Sequence, residues 1–509
     1  MGTPRIRNGI TNRHGIRDFI STTPLNCWIF LTEYHSCSQQ NLTTVFSPGK
    51  PPTDRNRGPI LLSNPITRPL IQLALPIILT QVGQMLMGLV DVWMISRLGT
   101  IPLAQTALGD LWAFGTMILF FGLIQGADPL FTQAHGAKDA TTLGRTLQRG
   151  ILLCLILSPV LYLCWIFADP ALQWLGQDPN LTGKAADYVE AQIFSIPALL
   201  AFALMRQYLQ GRGVLKPIVV TILLANVTNV IFNEVLIFGA GSIPALGIEG
   251  AGYATGASRV VMFLILAAFM IRGRHLKGGW TPWSRRSFSP RGLFRLFRFG
   301  FPVMIHFGVE VWTFQAATLM AGKLGEEALA AHVVVLKIIS FTFMFPWGLS
   351  GASTTRVGNL LGDQQIEEAR RTSWAALGLT AVTMLLIGGG VLLLGPAIPG
   401  IFSKDQKVLM MATALLPIAA GFQLFDGIQA VSAGILRGAG QTIPAAVMGL
   451  IGFPLITLPV GYTLAFEFRW GLAGIWWGFM VGLIVAAVLL TGWFVISSRK
   501  WKPLKRQLD

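Results

Sequence analysis

Charge is what this sequence has least of. Only 12% of its 509 residues are Asp, Glu, Lys or Arg, against roughly 25% in soluble proteins. The deficit comes from long uncharged runs, which recur too often to be one or two anchors. Ile151–Ala168, Val261–Ile271, Thr380–Leu394 and Phe479–Ile496 are examples, and a bilayer core takes about 20 such residues to cross. Irregular backbone cannot face lipid, so the spans must be helices or a closed barrel. The period-two alternation of barrel strands is missing, which leaves an all-α integral membrane protein. Cysteine is scarce too. Cys27, Cys37, Cys154 and Cys164 show no metal or redox spacing, and the last two lie in one apolar run, where a thiol acts as a small apolar residue. A metal-spaced His/Asp/Glu set and a nucleophile motif are also missing. That argues against a membrane-embedded enzyme, and no cofactor is implied.

The charge that is present is lopsided, with a net of +16. Arg272–Arg298 holds Arg272, Arg274, Lys277, Arg285, Arg286, Arg291, Arg295 and Arg298 with no acid among them. The C-terminus adds Arg499, Lys500, Lys502, Lys505 and Arg506, while the intervening loops are poor in Lys and Arg. A nucleic-acid-binding face would not alternate with the spans in this way. The positive-inside bias does, and it places both termini and the central loop in the cytoplasm of a cell-membrane protein. Residues 1–60 are polar and rich in Arg, Ser, Thr and Pro; they are expected to be a disordered tail or an over-extended start, and no cleavable secretory signal is evident.

Twelve spans are predicted: 69–97, 104–133, 145–168, 183–210, 214–239, 248–272, 293–322, 328–358, 369–395, 405–436, 442–466 and 471–498. A shift of 226 residues lays the second half over the first. Pro76 falls on Pro302, Leu98-Gly99 on Leu324-Gly325, Gly122 on Gly348, Gly136 on Gly362 and Arg145 on Arg371. With equal parity the repeats enter the membrane in the same direction, and a cavity is expected between them. The expected organisation is an N-lobe at 61–272, a basic linker at 273–292, a C-lobe at 293–498 and a basic tail at 499–509. Duplication favours transport over catalysis.

A carboxylate at mid-bilayer costs roughly 2.5–3.5 kcal/mol on insertion scales, so each one suggests function. Asp91 precedes Arg97 by six residues, about 9 Å below the end of its helix. Asn226, Asn229 and Asn233 share one stripe of the fifth span, and Thr255 offers a hydroxyl from the sixth. Such a set can hold a proton or coordinate Na⁺; the alternative is hydrogen bonding that only joins helices. Glu234 points about 100° away from Asn233. Glu310 and Asp426 reach a shared depth on separate helices of the second half. His306, one turn before Glu310, is either a relay or a packing residue. Asp128 lies near the inner boundary, where a hydrated role or a helix-end contact is expected, and His332 is expected to be structural. Gln84, Met85, Phe314 and Phe422 are candidates for an adaptable wall against a ligand.

Several stretches carry a family likeness: "PIILTQVGQMLMGLVD" from Pro76 to Asp91, "QAHGAKD" at 133–139, "FNEVLIFG" at 232–239, "PVMIHFGVEVWTF" at 302–314, "FPWGLSGASTTRVGNLLG" at 345–362 and "FQLFDGIQAVSAGILRGAG" at 422–440. Over about residues 65–498 the chain resembles the MATE (multidrug and toxic compound extrusion) transporters, in particular their NorM-like branch. The resemblance implies two six-helix lobes in a V, exporting organic molecules in exchange for H⁺ or Na⁺. It makes Asp91 the helix-1 acid, Asn229 and Thr255 its neighbours, and Glu310 and Asp426 the C-lobe pair. A transient Na⁺ would sit at Asp91, Asn229 and Thr255, or at Glu310 and Asp426. Asn233 stands where some branches carry a carboxylate, which shifts weight to the C-lobe pair. The expected partners are a small organic substrate and membrane lipid, with no nucleic acid and a monomeric chain. A lipid or lipid-linked oligosaccharide flippase of related architecture is the rival reading.

Overall fold

The computed structural model describes residues 65–403 and 405–504; the extension at 1–60 and the basic residues Lys505 and Arg506 lie outside the described residues. Long helices make up the first half: α1 (Thr67–Ser96), α2 (Thr100–Gly136), α3 (Ala140–Ile166), α4 (Pro179–Gly211), α5 (Lys216–Phe238) and α6 (Gly247–Arg272). The second half has α7 (Pro290–Gly322), α8 (Glu326–Gly362), α9 (Ile366–Ala397), α10 (Gln406–Gly438), α11 (Thr442–Glu467) and α12 (Leu472–Ser498). The only β-pairing among the described residues is an isolated bridge between Ala240 and Ile243. Eleven of these helices are long and apolar enough to cross a membrane. The exception is α7, 33 residues long, whose apolar stretch is diluted by His306, Glu310 and Gln315.

Helix ends and breaks follow local chemistry. The Asp139 side chain accepts from Thr142 N at 3.1 Å to cap α3, and Asp405 accepts from Lys407 N at 2.8 Å to cap α10. Such caps satisfy amides that have no partner within the helix. Three spans are irregular inside. The helical pattern of α2 is interrupted at Gly126 and Ala127, with Pro129 in the first turn of its second segment. A tighter turn at Ile193–Ser195 interrupts α4. Helix α11 carries π-helical turns at Ile451–Thr457 and Thr463–Glu467, the first containing Pro454, whose ring cannot continue an α-helical ladder.

The duplication is written into the backbone. Gly99 and Gly325, 226 residues apart, open α2 and α8 with φ of 117° and 115°, a region closed to most side chains. Lys138 and Gln364, again 226 apart, adopt φ of 54° and 64°. Contacts between the halves repeat as well. Gly122 on α2 packs against the backbone of Met304 on α7, and Gly348 on α8 packs against Ile78 on α1. Gly136 lies on the carbonyl of Asn359, and Gly362 lies on the carbonyl of Gln133. Each pair maps onto the other under the same shift. These approaches fall in the halves of the helices nearest the face that carries the start of α1 and the end of α12, so the lobes are joined at that face.

A Cβ at Gly122 would lie 2.6 Å from Met304 Cα, and one at Gly348 would lie 2.9 Å from Ile78 N. Either forces two backbones apart, and overpacking of this kind costs about 1–3 kcal/mol. Gly122→Ala and Gly348→Ala are each expected to lower the thermal midpoint of the detergent-purified protein by several degrees. Wild-type midpoints for both would show that the crossings are looser than described.

Candidate functional site

The N-lobe buries an acid among amides and hydroxyls. Asp91 on α1 is 6% exposed. Asn233 Nδ2 on α5 donates to its Oδ1 at 2.5 Å, and Thr255 Oγ1 on α6 donates to its Oδ2 at 3.1 Å. Asn233 Nδ2 also reaches Asn229 Oδ1, one turn away, at 3.3 Å. Asn229 and Asn233 are fully buried. Their stripe on α5 thus brings together the residues that the spacing suggested, with one exception. Asn226 turns to the carbonyls of Gly83 and Ile222, at 3.0 and 2.8 Å, and holds α5 against α1. Glu234 faces outward and meets Arg97 at 3.6 Å, both side chains being exposed.

The C-lobe holds the second centre. Glu310 on α7 and Asp426 on α10 are 8% and 6% exposed, and they are near enough for their charges to interact. His306 Nε2 lies 3.9 Å from Glu310 Oε2 and 3.3 Å from Gln429 Nε2. His306 therefore sits between an acid and an amide, which is more than apolar packing requires. Asp426 Oδ1, both terminal atoms of Gln423 and Gln429 Oε1 are buried with no hydrogen-bond partner among the described residues. A lining with unspent hydrogen-bonding capacity is what a site needs in order to take up a proton or a hydrated cation. Phe422 is fully buried, with Phe314 at 6.2 Å and Trp476 at 5.9 Å, and so forms part of the rigid wall one turn before Asp426. Phe314, Gln84 and Met85 are partly exposed. His332 is buried and meets Thr318 Oγ1 at 3.2 Å, a structural placement.

A third polar group joins the lobes. Arg437 Nε on α10 lies 3.3 Å from Asp128 Oδ2 on α2, with side chains 9% and 5% exposed. Of the two expectations for Asp128, the structure shows the helix-end contact and not the hydrated role: it opens the second segment of α2 and forms a buried ion pair with Arg437, in the last turn of α10, across the lobe contact. Nearby, Arg206 Nη1 on α4 donates to Gln81 Oε1 at 2.8 Å and Gln84 Oε1 at 3.3 Å. The sequence reading also passed over Asp110 on α2 and Arg259 on α6. Tyr188 OH donates to Asp110 Oδ1 at 2.9 Å, and the Arg259 guanidinium lies 5.7 Å from the Trp165 ring centre. The signal was available, since each is a charged residue inside an apolar run.

Two six-helix halves, joined at one face and each enclosing its own acid, define a membrane transporter of the two-lobed class. Comparison with known proteins agrees. Residues 76–235 and 302–463 each match the MatE family model, and the matches begin at the same offset as the internal repeat. A probable multidrug resistance protein NorM from Mesorhizobium japonicum is 32% identical over 444 residues, covering 84% of this chain and 93% of that one. Multidrug and toxin extrusion protein 1 of Xenopus tropicalis is 29% identical over 425 residues, covering 83% and 72%. Among solved structures, the eukaryotic MATE transporter AtDTX14 superposes with a TM-score of 0.79 at 26% identity, over 85% of this chain and 97% of that one. The chain belongs to the MatE family; it is a multi-pass membrane transporter and not an enzyme.

Removing one partner of a buried ion pair leaves an uncompensated charge and costs about 3–5 kcal/mol. Asp128→Asn and Arg437→Gln should each destabilise the protein on that scale, and the double variant should lose less than the two losses added. Strict additivity in thermal denaturation would mean that the two groups do not act on each other.

Proposed function

We propose that the protein is a secondary active antiporter that exports organic compounds, cationic or amphiphilic, in exchange for H⁺ or Na⁺ by alternating access. The observation that carries this reading is the burial of acids in two separate lobes, Asp91 in one and Glu310 with Asp426 in the other. A buried carboxylate is costly in lipid, and it is retained where its charge is taken up and released. The names of the relatives, a multidrug resistance protein and a multidrug and toxin extrusion protein, support the class of cargo.

Positive-inside bias supports a cytoplasmic placement of the joined face, and on this reading the lobes open toward the outside. A cation from outside binds or protonates Asp91, Glu310 or Asp426, lowers the negative charge of its lobe, and weakens the hold on a cationic cargo. The lobes then rock about the Gly122–Met304 and Gly348–Ile78 crossings, and the Asp128–Arg437 pair opens. One charge crossing the membrane potential supplies about 2.3 kcal/mol per 100 mV, a concentration ratio of about fifty. Substrate wall residues are Gln84, Met85 and Phe314, with Phe422 against Phe314.

The test uses proteoliposomes with separately imposed proton and sodium gradients. Asp91→Asn, Glu310→Gln and Asp426→Asn should each cut gradient-driven efflux about tenfold or more. Undiminished efflux in all three variants would dispose of the mechanism. Efflux of organic cations absent in the wild type, together with transbilayer movement of a labelled lipid-linked oligosaccharide, would favour the flippase.

A further inference from the structure

Positive charge converges at one point of the joined face. A cleft between α3 and α7 is lined by Arg145, Thr146 and Arg149 from the first half and by Gly292 and Arg295 from the second, and among the described residues no acid lines it. Arg149 is fixed in place: its Nη2 donates to Arg286 O at 2.8 Å, and its guanidinium lies against Gly292. Arg145 is half-buried and makes no hydrogen bond or ion pair among the described residues. Asp139 lines the adjoining cleft with Arg295, and its carboxylate caps α3 through Thr142 N and Oγ1 at 3.1 and 2.8 Å. The duplicate of this position carries its own acids. Under the shift of 226, Arg145 falls on Arg371, and Thr141 and Thr142 fall on Glu367 and Glu368. Glu367 meets Arg370 at 2.9 Å and Arg371 at 3.6 Å, and Glu368 meets Arg356 at 3.0 Å. Where the second half has two acids, the first has two threonines. Three guanidinium groups on one cleft repel one another. A phosphate offsets that repulsion, and its oxygens match their forked donors.

Beside the cleft, α7 presents a surface suited to lipid. The helix has 33 residues, about 50 Å at 1.5 Å per residue, against a hydrocarbon core of about 30 Å. Its first three turns carry Arg291, Arg295 and Arg298 and so extend into the headgroup layer. Gly292, Leu296 and Gly300 turn inward there. Phe294, Phe297 and Phe301 turn outward, 65%, 41% and 42% exposed, and their rings follow one another at 6.5 and 5.4 Å. Trp283 and Phe288, both exposed, add an aromatic pair 5.4 Å apart just before the helix. Exposed rings among arginines at a cytoplasmic boundary are the pattern of a segment lying on an anionic leaflet.

We infer that the cleft lined by Arg145, Arg149 and Arg295 binds the phosphate of an anionic phospholipid from the cytoplasmic leaflet, with the acyl chains along Phe294, Phe297 and Phe301. The aromatic row decides for a lipid over a soluble phosphate, which would leave those rings uncovered. The headgroup is held by α3 of one lobe and α7 of the other, so the bound lipid bridges the lobes where they join. This site is separate from the buried acids and does not depend on which ion drives transport.

The experiment titrates the detergent-purified full-length protein with phosphatidylglycerol or phosphatidylcholine and reads the Kd of the first bound lipid by native mass spectrometry. The wild type should bind phosphatidylglycerol at least tenfold more tightly than phosphatidylcholine. Arg145→Gln/Arg295→Gln should bring the two within threefold, and Arg145→Lys/Arg295→Lys should keep an intermediate preference. Arg499→Gln/Lys500→Gln removes the same charge from the exposed tail and should leave the preference intact. Phe294→Ser/Phe297→Ser should weaken phosphatidylglycerol binding at least fivefold; should the glutamine pair fail to fold, this variant and the lysine pair decide. Equal binding of the two lipids by the wild type, or an undiminished preference in the arginine variants, would overturn the assignment. Inorganic phosphate that raises the wild-type thermal midpoint as much as phosphatidylglycerol does, with undiminished lipid binding in Phe294→Ser/Phe297→Ser, would give the cleft to a soluble anion and overturn it equally.

Discussion

Where α2 crosses α7 and α1 crosses α8, glycine lets one backbone lie against another, and the rest of the molecule is arranged around those two crossings. In lipid no hydrophobic force draws helices together, because the tails are as apolar as leucine. Association depends on close packing and on buried hydrogen bonds. Gly122 against Met304 and Gly348 against Ile78 supply the packing at equivalent points of the two repeats. A pair of equivalent contacts on one face forms an axis, and two lobes held along an axis can rock without unfolding either. The buried Asp128–Arg437 pair lies at the same joined face and adds a polar contact that has no mate under the repeat.

Within each lobe the polar groups come together from different helices. Asp91 draws its partners from α5 and α6, and Asn226 anchors α5 to α1. Glu310 and Asp426 come from α7 and α10, with the Phe314, Phe422, Trp476 and Phe479 rings filling the space beside them. The apolar wall and the acid are therefore parts of one packed unit: Phe422 precedes Asp426 by one turn, so the side chain that fixes the core also fixes the height of the acid. The weaker apolarity of α7 has the same origin, since the helix that carries Glu310 and His306 gives up lipid-like surface to do so.

Much of this was legible in the sequence, and the reasons differ by feature. The twelve spans follow from uncharged length, and their ends fall within a few residues of the structural ones. The repeat was visible as a colinear series of Gly and Pro, and those are the residues whose backbone φ and close approaches repeat in the structure. Depth and helical stripe suggested Asn226, Asn229 and Asn233 as neighbours of Asp91, with Thr255 offering a hydroxyl; Asn233 and Thr255 bond the acid, and Asn226 turns away. What the sequence did not disclose were contacts between segments far apart in the chain. Nothing local ties Asp128 to Arg437, and the interruption at Gly126, just before Asp128, lies against the backbone of Gly300 in the other half of the chain. Asp110 and Arg259 stand out in the sequence as charged residues inside apolar runs, but their partners, Tyr188 and the Trp165 ring, come from other helices.

The two copies kept their scaffold and parted in their chemistry, and one pair of positions shows why. Glu310 corresponds to Gln84 under the repeat. In the first half that position faces Arg206, whose Nη1 reaches Gln84 Oε1. A glutamate there would form a charge-assisted pair with a guanidinium that is always protonated, and a carboxylate so held keeps its charge and has no proton to exchange. Glutamine satisfies the arginine without adding a titrating group. In the second half the nearest charged or titratable side chain on α7 is His306, whose Nε2 lies 3.9 Å from Glu310 Oε2; no arginine among the described residues pairs with that acid. The duplicated frame thus offers each lobe a polar position at the same height. What packing has placed beside that position differs between the lobes: Arg206 against Gln84 in the first and His306 against Glu310 in the second.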